Sequence, residues 1–246
     1  MPEGRSRDPL KDALTYYRDL GVRDLYLPQA KRTAEAGAEG EPMKAAARKA
    51  VPSTLEALAR EVAGCRACRL CETRTQTVFS DGSSKARVMF VGEAPGADED
   101  AKGIPFVGRA GQLLTKMIEN GMGLPRADVY IANVLKCRPP ENRNPEPDEI
   151  ASCRRFLEAQ IDTVKPEVIV ALGKFAGQFL LERDEGIMRM RGRWGEYRGI
   201  PVMPTYHPSF LLRQPERKKE AWEDLLQVLD KLGLPAPAVA RKPSAT

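Results

Sequence analysis

RVMFVGEAPG, residues 87–96, is a short apolar run that leads directly into a turn rich in Gly and Pro. Three more apolar runs of this kind follow along the chain, at residues 129–134, 168–173 and 200–204. Near-continuous apolar strands separated by helices are typical of a parallel sheet that is covered on both faces. We therefore predict an α/β fold, a three-layer α/β/α sandwich around a central, mainly parallel four-stranded sheet. The covering helices are predicted over residues 112–120, 148–164, 174–181 and 219–232.

The carboxyl ends of the predicted strands carry distinctive polar and glycine residues. In open α/β sheets, ligands bind in the crevice at this edge. The residues that follow the strands are Glu93, Asn133, Gly173 and the segment 206–209. The sequence therefore directs the search for a functional site to these four loops.

A turn shaped by Gly and Pro presents Glu93 at the end of the first strand. The sequence there is GEAPGADED, residues 92–100, so Asp98, Glu99 and Asp100 follow closely. Carboxylates this close together can supply a general base, and they can equally form a solvated acidic loop. The residues alone leave both interpretations open.

The next segment, GIPFVGRAG at residues 103–111, places Phe106 between glycines in a loop near a strand end. An aromatic ring in such a position is suited to stacking on a planar base. Packing of Phe106 in the core is the alternative, and the sequence does not separate the two.

The only histidine, His207, lies in YHPSFLL, residues 206–212. A lone histidine is usually structural, but its place between a strand end and a rigid proline favours a functional role. The Ser209 hydroxyl and the backbone amides of this turn are suited to phosphate oxygens, and Leu211 or Phe210 can act as an apolar wedge between bases. The predicted DNA-contacting set is Ser209, Phe210, Leu211 and Arg213.

Four of the five cysteines are spaced as Cys65-x2-Cys68, then Cys137 and Cys153 after a long gap. A C-x2-C pair supplies two thiolates from one turn, and the other two can come from elsewhere in the fold. Zinc and an iron–sulfur cluster both accept four cysteines, and buried inert thiols are a third possibility. Cys71 extends the pair to C-x2-C-x2-C, so the spacing also leaves the ligand set open.

Composition limits the class of protein without deciding it. The chain has 246 residues, with 39 basic and 34 acidic side chains and a net charge of +5. This mild basic excess favours an acidic partner such as DNA only weakly. Because the sequence shows no signal peptide and no apolar run long enough to span a membrane, we expect a cytoplasmic location with reduced thiols.

The chain divides into four predicted regions. Residues 1–28 are predicted to form an amphipathic helical segment, and residues 29–52 a flexible linker with few large apolar side chains. Residues 53–234 contain all of the motifs described above, and residues 235–246 are expected to be a disordered tail. We expect a monomer, and the N-terminal helical segment is a candidate tether for a protein partner.

Taken together, GEAPGADED, GIPFVGRAG, the strand end at Asn133, KCRPPENR and YHPSFLL resemble type-4 uracil-DNA glycosylases, the iron–sulfur branch of that superfamily. The resemblance covers residues 55–232, which makes residues 53–234 the expected glycosylase domain. It implies uracil-containing DNA, single- or double-stranded, as the partner, and a [4Fe-4S] cluster as the cofactor. The ligands implied are Cys65, Cys68, Cys137 and Cys153, which leaves Cys71 as a spare thiol.

The same resemblance implies how uracil would be held. His207 would donate to uracil O2, where negative charge develops as the base departs, and Phe106 would stack on the ring. Asn133 would accept from N3–H and donate to O4, a pattern that cytosine does not match. The expected activity is hydrolysis of the N-glycosidic bond in base excision repair, leaving an abasic site.

Two further roles in the pocket are expectations from the resemblance. Glu99 would form the steric wall that excludes the thymine methyl group, and Glu93, Ala94 and Pro95 would line the pocket. A better-known branch of the superfamily has an aspartate where this chain has Ala94. The identity of a water-activating base is therefore open, with Glu93 the first candidate and Asp100 the second.

Two alternatives concern the class of activity. Apart from Lys136 in KCRPPENR and Lys174, which the sequence does not place relative to the site, no lysine lies at the motifs, so we expect a monofunctional enzyme without lyase activity. A non-catalytic iron–sulfur module that binds DNA or transfers electrons is the competing interpretation of the same fold. The combination of Glu93, Asn133 and His207 argues against it.

Overall fold

The computed structural model describes residues 54–237. The predictions for residues 1–28 and 29–52, and nearly all of the predicted tail 235–246, therefore lie outside the described residues. Within the described range, no helix is both long enough and apolar enough to cross a membrane.

The described chain alternates strands and helices in the predicted manner. The strands are β1 (Asp81–Gly82), β2 (Val88–Gly92), β3 (Tyr130–Asn133), β4 (Val168–Leu172), β5 (Gly195–Tyr197) and β6 (Ile200–Thr205). The helices are α1 (Leu55–Ala63), α2 (Ala97–Lys102), α3 (Arg109–Lys116), α4 (Pro147–Val164), α5 (Lys174–Leu181), α6 (Ile187–Met190), α7 (Pro208–Arg213) and α8 (Lys218–Lys231). Short 3-10 turns occupy Arg69–Glu72, Arg126–Asp128, Pro140–Asn142 and Pro215–Arg217, and α3 continues as a π-helical stretch over Met117–Met122.

The sheet has six strands in the order β1-β3-β2-β4-β6-β5. The four central strands are parallel, as predicted, and β1 and β5 pair antiparallel at the two edges. The predicted count of four strands was therefore too low. The edge strands are two and three residues long and contain no continuous apolar run, so no strand pattern was visible in the sequence.

Two hydrophobic cores lie on opposite faces of this sheet, which confirms the three-layer architecture. Side chains of β2 alternate between them, so that Met89 and Val91 pack into one core and Val88 and Phe90 into the other. The first core is covered by α1, α4 and α5, and the second by α3 and α8. Examples of the covering side chains are Leu58, Phe156 and Phe179 on the first face, and Leu114 and Leu225 on the second.

Strand register brings the four predicted loops to one edge. Gly92 at the end of β2 lies level with Asn133 at the end of β3. Leu172 at the end of β4 lies level with Thr205 at the end of β6. Because the four strands are parallel, the residues that follow them all open onto the same crevice.

Candidate active site and cysteine pocket

A cavity of about 460 Å³ lies at the carboxyl ends of the parallel strands. Its walls come from the turn after β2, the loop that precedes α3, the end of β3, the start of α5 and the start of α7. The structure therefore brings most of the predicted site residues together. Those that line the cavity are Glu93, Ala94, Pro95, Glu99, Phe106, Asn133, His207, Ser209, Phe210 and Arg213.

Asn133 places a buried, unpaired acceptor in this cavity. Its side chain is 2% exposed, and among the described residues its Oδ1 has no hydrogen-bond partner. Leaving a buried polar atom unpaired costs on the order of 1–3 kcal/mol, so this atom requires a partner, either an ordered water or a ligand. A donor on a bound ligand would satisfy this atom.

Gly92 allows the side chains of Asn133 and Phe106 to approach the end of β2. A Cβ atom at Gly92 would lie 2.4 Å from Asn133 Oδ1 and 2.5 Å from Phe106 Cζ. Real Cβ atoms do not approach other atoms this closely. Glycine is therefore required here for the cavity to keep its shape.

Phe106 forms an aromatic wall of the cavity. It is 6% exposed, and its ring centroid lies 5.6 Å from that of His207. Its backbone has a positive φ of 54°, a left-handed conformation that costs roughly 1–3 kcal/mol for a side chain of this size. Strain of this kind persists only where the surroundings hold the residue in place, as the close packing of Gly111 on the Phe106 backbone does here.

Glu99 holds the two loops of the cavity against each other. One carboxylate oxygen accepts from the Gly96 N–H at 3.1 Å, and the other accepts from the N–H groups of Val107 and Gly108 at 2.9 Å each. These bonds join the turn after β2 to the Phe106 loop. Whether Glu99 also excludes the thymine methyl group stays a prediction.

His207 has a defined tautomer. It is the N-cap residue of α7, where its Nδ1 accepts from the Ser209 N–H at 3.2 Å. Burial, with a smaller contribution from the nearby Arg213 charge, lowers the pKa of His207 to about 4. The ring is therefore neutral at pH 7. Nδ1 also lies 2.7 Å from Ser209 Oγ, and the Ser209 N–H contact favours the tautomer with its proton on Nε2, in which Nε2–H is a hydrogen-bond donor.

Glu93 is one of two carboxyl groups in the cavity wall, the other being Glu99. Burial raises its pKa to about 7, so the acid and its conjugate base are both populated near neutral pH. The backbone of the turn is fixed, because Glu93 O accepts from the Leu135 N–H at 3.0 Å. A side chain with this pKa is suited to general-base catalysis at physiological pH.

Asp100, the second candidate base, was a wrong prediction. It lies in α2, 4% exposed, and both of its carboxylate oxygens lie 3.0 Å from the Thr75 backbone N, which donates to them. It does not line the cavity. The reason is helical geometry, because α2 turns Asp100 away from the face on which Glu99 lies.

Leu211 is also misplaced for its predicted role as a wedge. It is 1% exposed and packs with Tyr206 and Ala221 in a small core beneath α7. The neighbouring Leu212 is 42% exposed. Phe210 is partly buried and lines the cavity, so Leu212 is the exposed apolar side chain of α7 and Phe210 the partly exposed one, rather than Leu211.

Several residues that line the cavity were not predicted from the sequence, among them Asn142 and Arg143. Both belong to the KCRPPENR segment after β3, and a polar segment following a strand end was the available signal. Arg143 forms a two-pronged pair with Glu149, at 2.6 and 2.9 Å. Most of its hydrogen-bonding capacity is therefore used within the protein.

The five cysteines line a second pocket, between α1, α4 and the loop after β3. All five thiols are free, with Cys137 and Cys153 buried and the other three partly exposed. Within residues 54–237, no group of three or more His, Cys, Asp or Glu side chains is arranged to hold a metal ion. A four-iron cluster makes a different demand, because each cysteine binds a separate iron and the sulfurs need not converge on one point.

The environment of these sulfur atoms is suited to thiolate ligands. Arg74 Nη1 donates to Cys137 Sγ at 3.1 Å, and the Lys136 backbone N–H donates to Cys153 Sγ at 3.3 Å. Burial raises the pKa of Cys153 to about 12, and it also raises the pKa of Cys68 and Cys137. Such thiols stay protonated and unreactive unless a bound metal displaces their protons. The soft donor set therefore fits an iron–sulfur cluster.

The fold and the cavity agree with the comparisons to known proteins. A model of the uracil DNA glycosylase superfamily matches residues 79–226. A type-4 uracil-DNA glycosylase of Archaeoglobus fulgidus is 43% identical over 196 residues, which are 76% of this chain and 97% of that protein. The corresponding protein of Thermotoga maritima is 45% identical over 179 residues, 72% of this chain and 92% of its own length. The chain belongs to the type-4 uracil-DNA glycosylase family.

Proposed function

We propose that this protein removes uracil from DNA by hydrolysing the N-glycosidic bond, which releases the base and leaves an abasic site. The observation that carries the proposal is the buried, unpaired Oδ1 of Asn133 in a cavity that also contains the neutral ring of His207. The target base would first be flipped out of the helix stack. The names of the relatives support the same activity.

Asn133 would select uracil by hydrogen bonding. Its Oδ1 accepts from uracil N3–H, and its Nδ2 donates to O4. Cytosine has no proton at the ring nitrogen and an amine in place of O4, so both bonds would be lost and buried polar groups left unpaired. A site built around hydrogen bonds discriminates strongly against bases that cannot make them.

His207 would stabilise the departing base. Cleavage of the bond places negative charge on uracil O2, and Nε2–H of the neutral ring donates to that oxygen. Because Nδ1 is occupied by the Ser209 N–H, the ring is oriented before the substrate binds. A donor fixed in advance stabilises developing charge without reorganisation.

The remaining cavity residues would hold the base and the water. Phe106 stacks on the uracil ring, while Ala94 and Pro95 line its edge. Ionised Glu93 is the proposed base that orients and deprotonates the attacking water. Glu99 is the proposed wall against thymine, since its carboxylate is held rigidly by three backbone amides.

DNA would be held at the rim of this cavity. Ser209 and Arg213 at α7 are placed to contact phosphates, and Lys174 at the start of α5 adds a second cation. Phe210 or the exposed Leu212 would fill the space that the flipped base vacates.

We propose that Cys65, Cys68, Cys137 and Cys153 bind a [4Fe-4S] cluster. Four cysteines occupy every iron, so the bound cluster supplies no open coordination site and serves to join the segment before β1 to the loop after β3. Cys71 lines the same pocket but is proposed to be a spare thiol. Iron and sulfide analysis would test this, because Cys71→Ala should retain the iron that Cys137→Ala loses.

Excision itself is tested with purified holoprotein on uracil-containing oligonucleotides, single-stranded and duplex, followed by alkaline cleavage. Strand breaks at uracil and none at thymine or cytosine are expected. Binding without strand breaks, in protein with a full iron content, would instead support the non-catalytic iron–sulfur module. A covalent complex trapped by borohydride would contradict the monofunctional assignment.

We also propose that the protein is a cytoplasmic monomer, with a protein partner bound through residues 1–28. Deletion of residues 1–52 should then leave excision by the purified enzyme unchanged. Light scattering of the full chain tests the oligomeric state.

A further inference from the structure

Two cations lie beside the cysteine pocket without a carboxylate partner. Arg74, partly buried, and Lys136, 1% exposed, both line it. Among the described residues, neither forms an ion pair with Asp or Glu. Lys136 Nζ donates to Asn133 O at 2.7 Å and to Gln160 Oε1, whereas Arg74 Nη1 points at the sulfur of Cys137 at 3.1 Å.

Arg74 differs in this respect from three other partly buried arginines of the same domain. Arg126, Arg143 and Arg191 pair with Asp81, Glu149 and Asp224, respectively. Withdrawing a cation from water is costly unless a negative charge compensates it. For Arg74, which is only partly buried, the group placed to supply negative charge is the Cys137 sulfur, once a bound cluster has displaced its proton.

Arg74 also connects the two halves of the cysteine set. Its Nη2 donates to Cys65 O at 2.8 Å and to Ala63 O at 3.4 Å, at the end of α1. Its Nη1 reaches Cys137, which follows β3. The Arg74 guanidinium group therefore contacts both Cys65, through its backbone oxygen, and Cys137, through its sulfur.

We propose that Arg74 is the counter-charge and N–H···S donor that sets the reduction potential of the bound cluster and protects it from oxidative loss. The proposal rests on the [4Fe-4S] cluster proposed above. A positive charge and a hydrogen bond at a ligand sulfur stabilise the more reduced, more negative state, so they raise the potential. Removing them lowers the potential and makes oxidation easier.

The experiment compares full-length holoproteins purified without oxygen. Arg74→Gln removes the charge and the guanidinium fork, and Arg74→Lys keeps the charge alone. The matched control is Arg66→Gln, which removes an exposed arginine of the same loop that makes no hydrogen bond to sulfur among the described residues. Film voltammetry gives the midpoint potential, and visible absorption in ferricyanide gives the rate of cluster loss.

Arg74→Gln is expected to shift the midpoint potential to more negative values and to bleach faster than the wild type. The midpoint potential and the bleaching rate of Arg74→Lys should lie between those of the wild type and of Arg74→Gln. Both values for Arg66→Gln should match the wild type. Equal shifts for Arg74→Gln and Arg66→Gln, or no shift in either Arg74 variant, would overturn the proposal. If Arg74→Gln retains no cluster, the potential of Arg74→Lys decides, and a wild-type value there refutes the role. Wild-type protein without iron would instead refute the proposed cofactor.

Discussion

The candidate active-site cavity and the cysteine pocket are both lined by residues of the loop after β3, but they are built in opposite ways. The cavity contains an unpaired acceptor at Asn133, a strained Phe106 and a carboxyl group at Glu93 whose pKa is raised by burial. The cysteine pocket contains sulfur atoms that accept from Arg74 and from the Lys136 backbone. Unsatisfied polar groups on rigid elements indicate where a substrate binds, and sulfurs that already have donors indicate a structural group.

The short segment from Asn133 to Cys137 connects the two sites. The Lys136 side chain donates to Asn133 O, while its backbone N–H donates to Cys153 Sγ. Asn133, the residue proposed to read the base, is therefore held by a residue that also contacts a proposed cluster ligand. If the two regions are separate in function, cavity substitutions should abolish excision and leave the iron content unchanged.

The largest loss is expected from Asn133→Ala. Two hydrogen bonds to uracil disappear, each worth about 2 kcal/mol in a buried site, which together lower the single-turnover rate roughly 10³-fold. Iron content and Tm should stay near the wild-type values, because Oδ1 has no partner within the described protein. A comparable loss of iron would show that the two regions are not separable.

His207→Ala is expected to slow excision by about 10²–10³-fold, the usual cost of removing one fixed donor to a developing anion. In the wild type, the neutral ring should make the His207 contribution constant from pH 5 upward, with loss only as the pH falls toward 4. Single-turnover rates across pH test this. A rate that improved as His207 became protonated would argue for an imidazolium donor instead.

Gly92→Ala should reduce the volume of the cavity by placing a methyl group between Asn133 and Phe106. The added methyl group would overlap Asn133 Oδ1 and the Phe106 ring, and overpacking of this kind costs about 1–3 kcal/mol. We expect about a hundredfold loss of excision at that upper cost. Gly186→Ala is the matched control, since a Cβ there has no atom within 4 Å. Equal activity of the two variants would contradict the cavity geometry.

Glu93→Gln should lower the excision rate about tenfold or more and remove the pH dependence that comes from ionisation of Glu93. With a pKa of about 7, wild-type activity should rise with pH through that value as Glu93 ionises. The free energy of unfolding, in contrast, should fall as the pH rises. The raised pKa means that the native state binds more protons than the unfolded state, so the Glu93 contribution is lost as the pH rises through about 7. A Glu93→Gln variant with the full rate would remove Glu93 as the base.

The parallel sheet and the positions of Asn133 and His207 followed from the sequence because apolar runs define strands and the ligand edge follows from them. Asp100 and Leu211 were misassigned because their roles depend on the direction of a side chain within a short helix. In ADEDAK, adjacent carboxylates point to different faces of α2, one toward the cavity loops and one toward Thr75. A motif locates such a segment, but it does not show which of two adjacent residues faces the cavity.

The smallest expected effect on excision concerns Leu212, the exposed leucine of α7. Leu212→Ala should lower excision about tenfold on duplex DNA and leave single-stranded substrates unchanged, because only a duplex requires a wedge to compensate for unstacking of a few kcal/mol. Leu211→Ala, which empties a buried position, should instead lower Tm and affect both substrates equally. The ratio of duplex to single-strand rates separates the two leucines, and a ratio that changed only for Leu211→Ala would restore the original prediction.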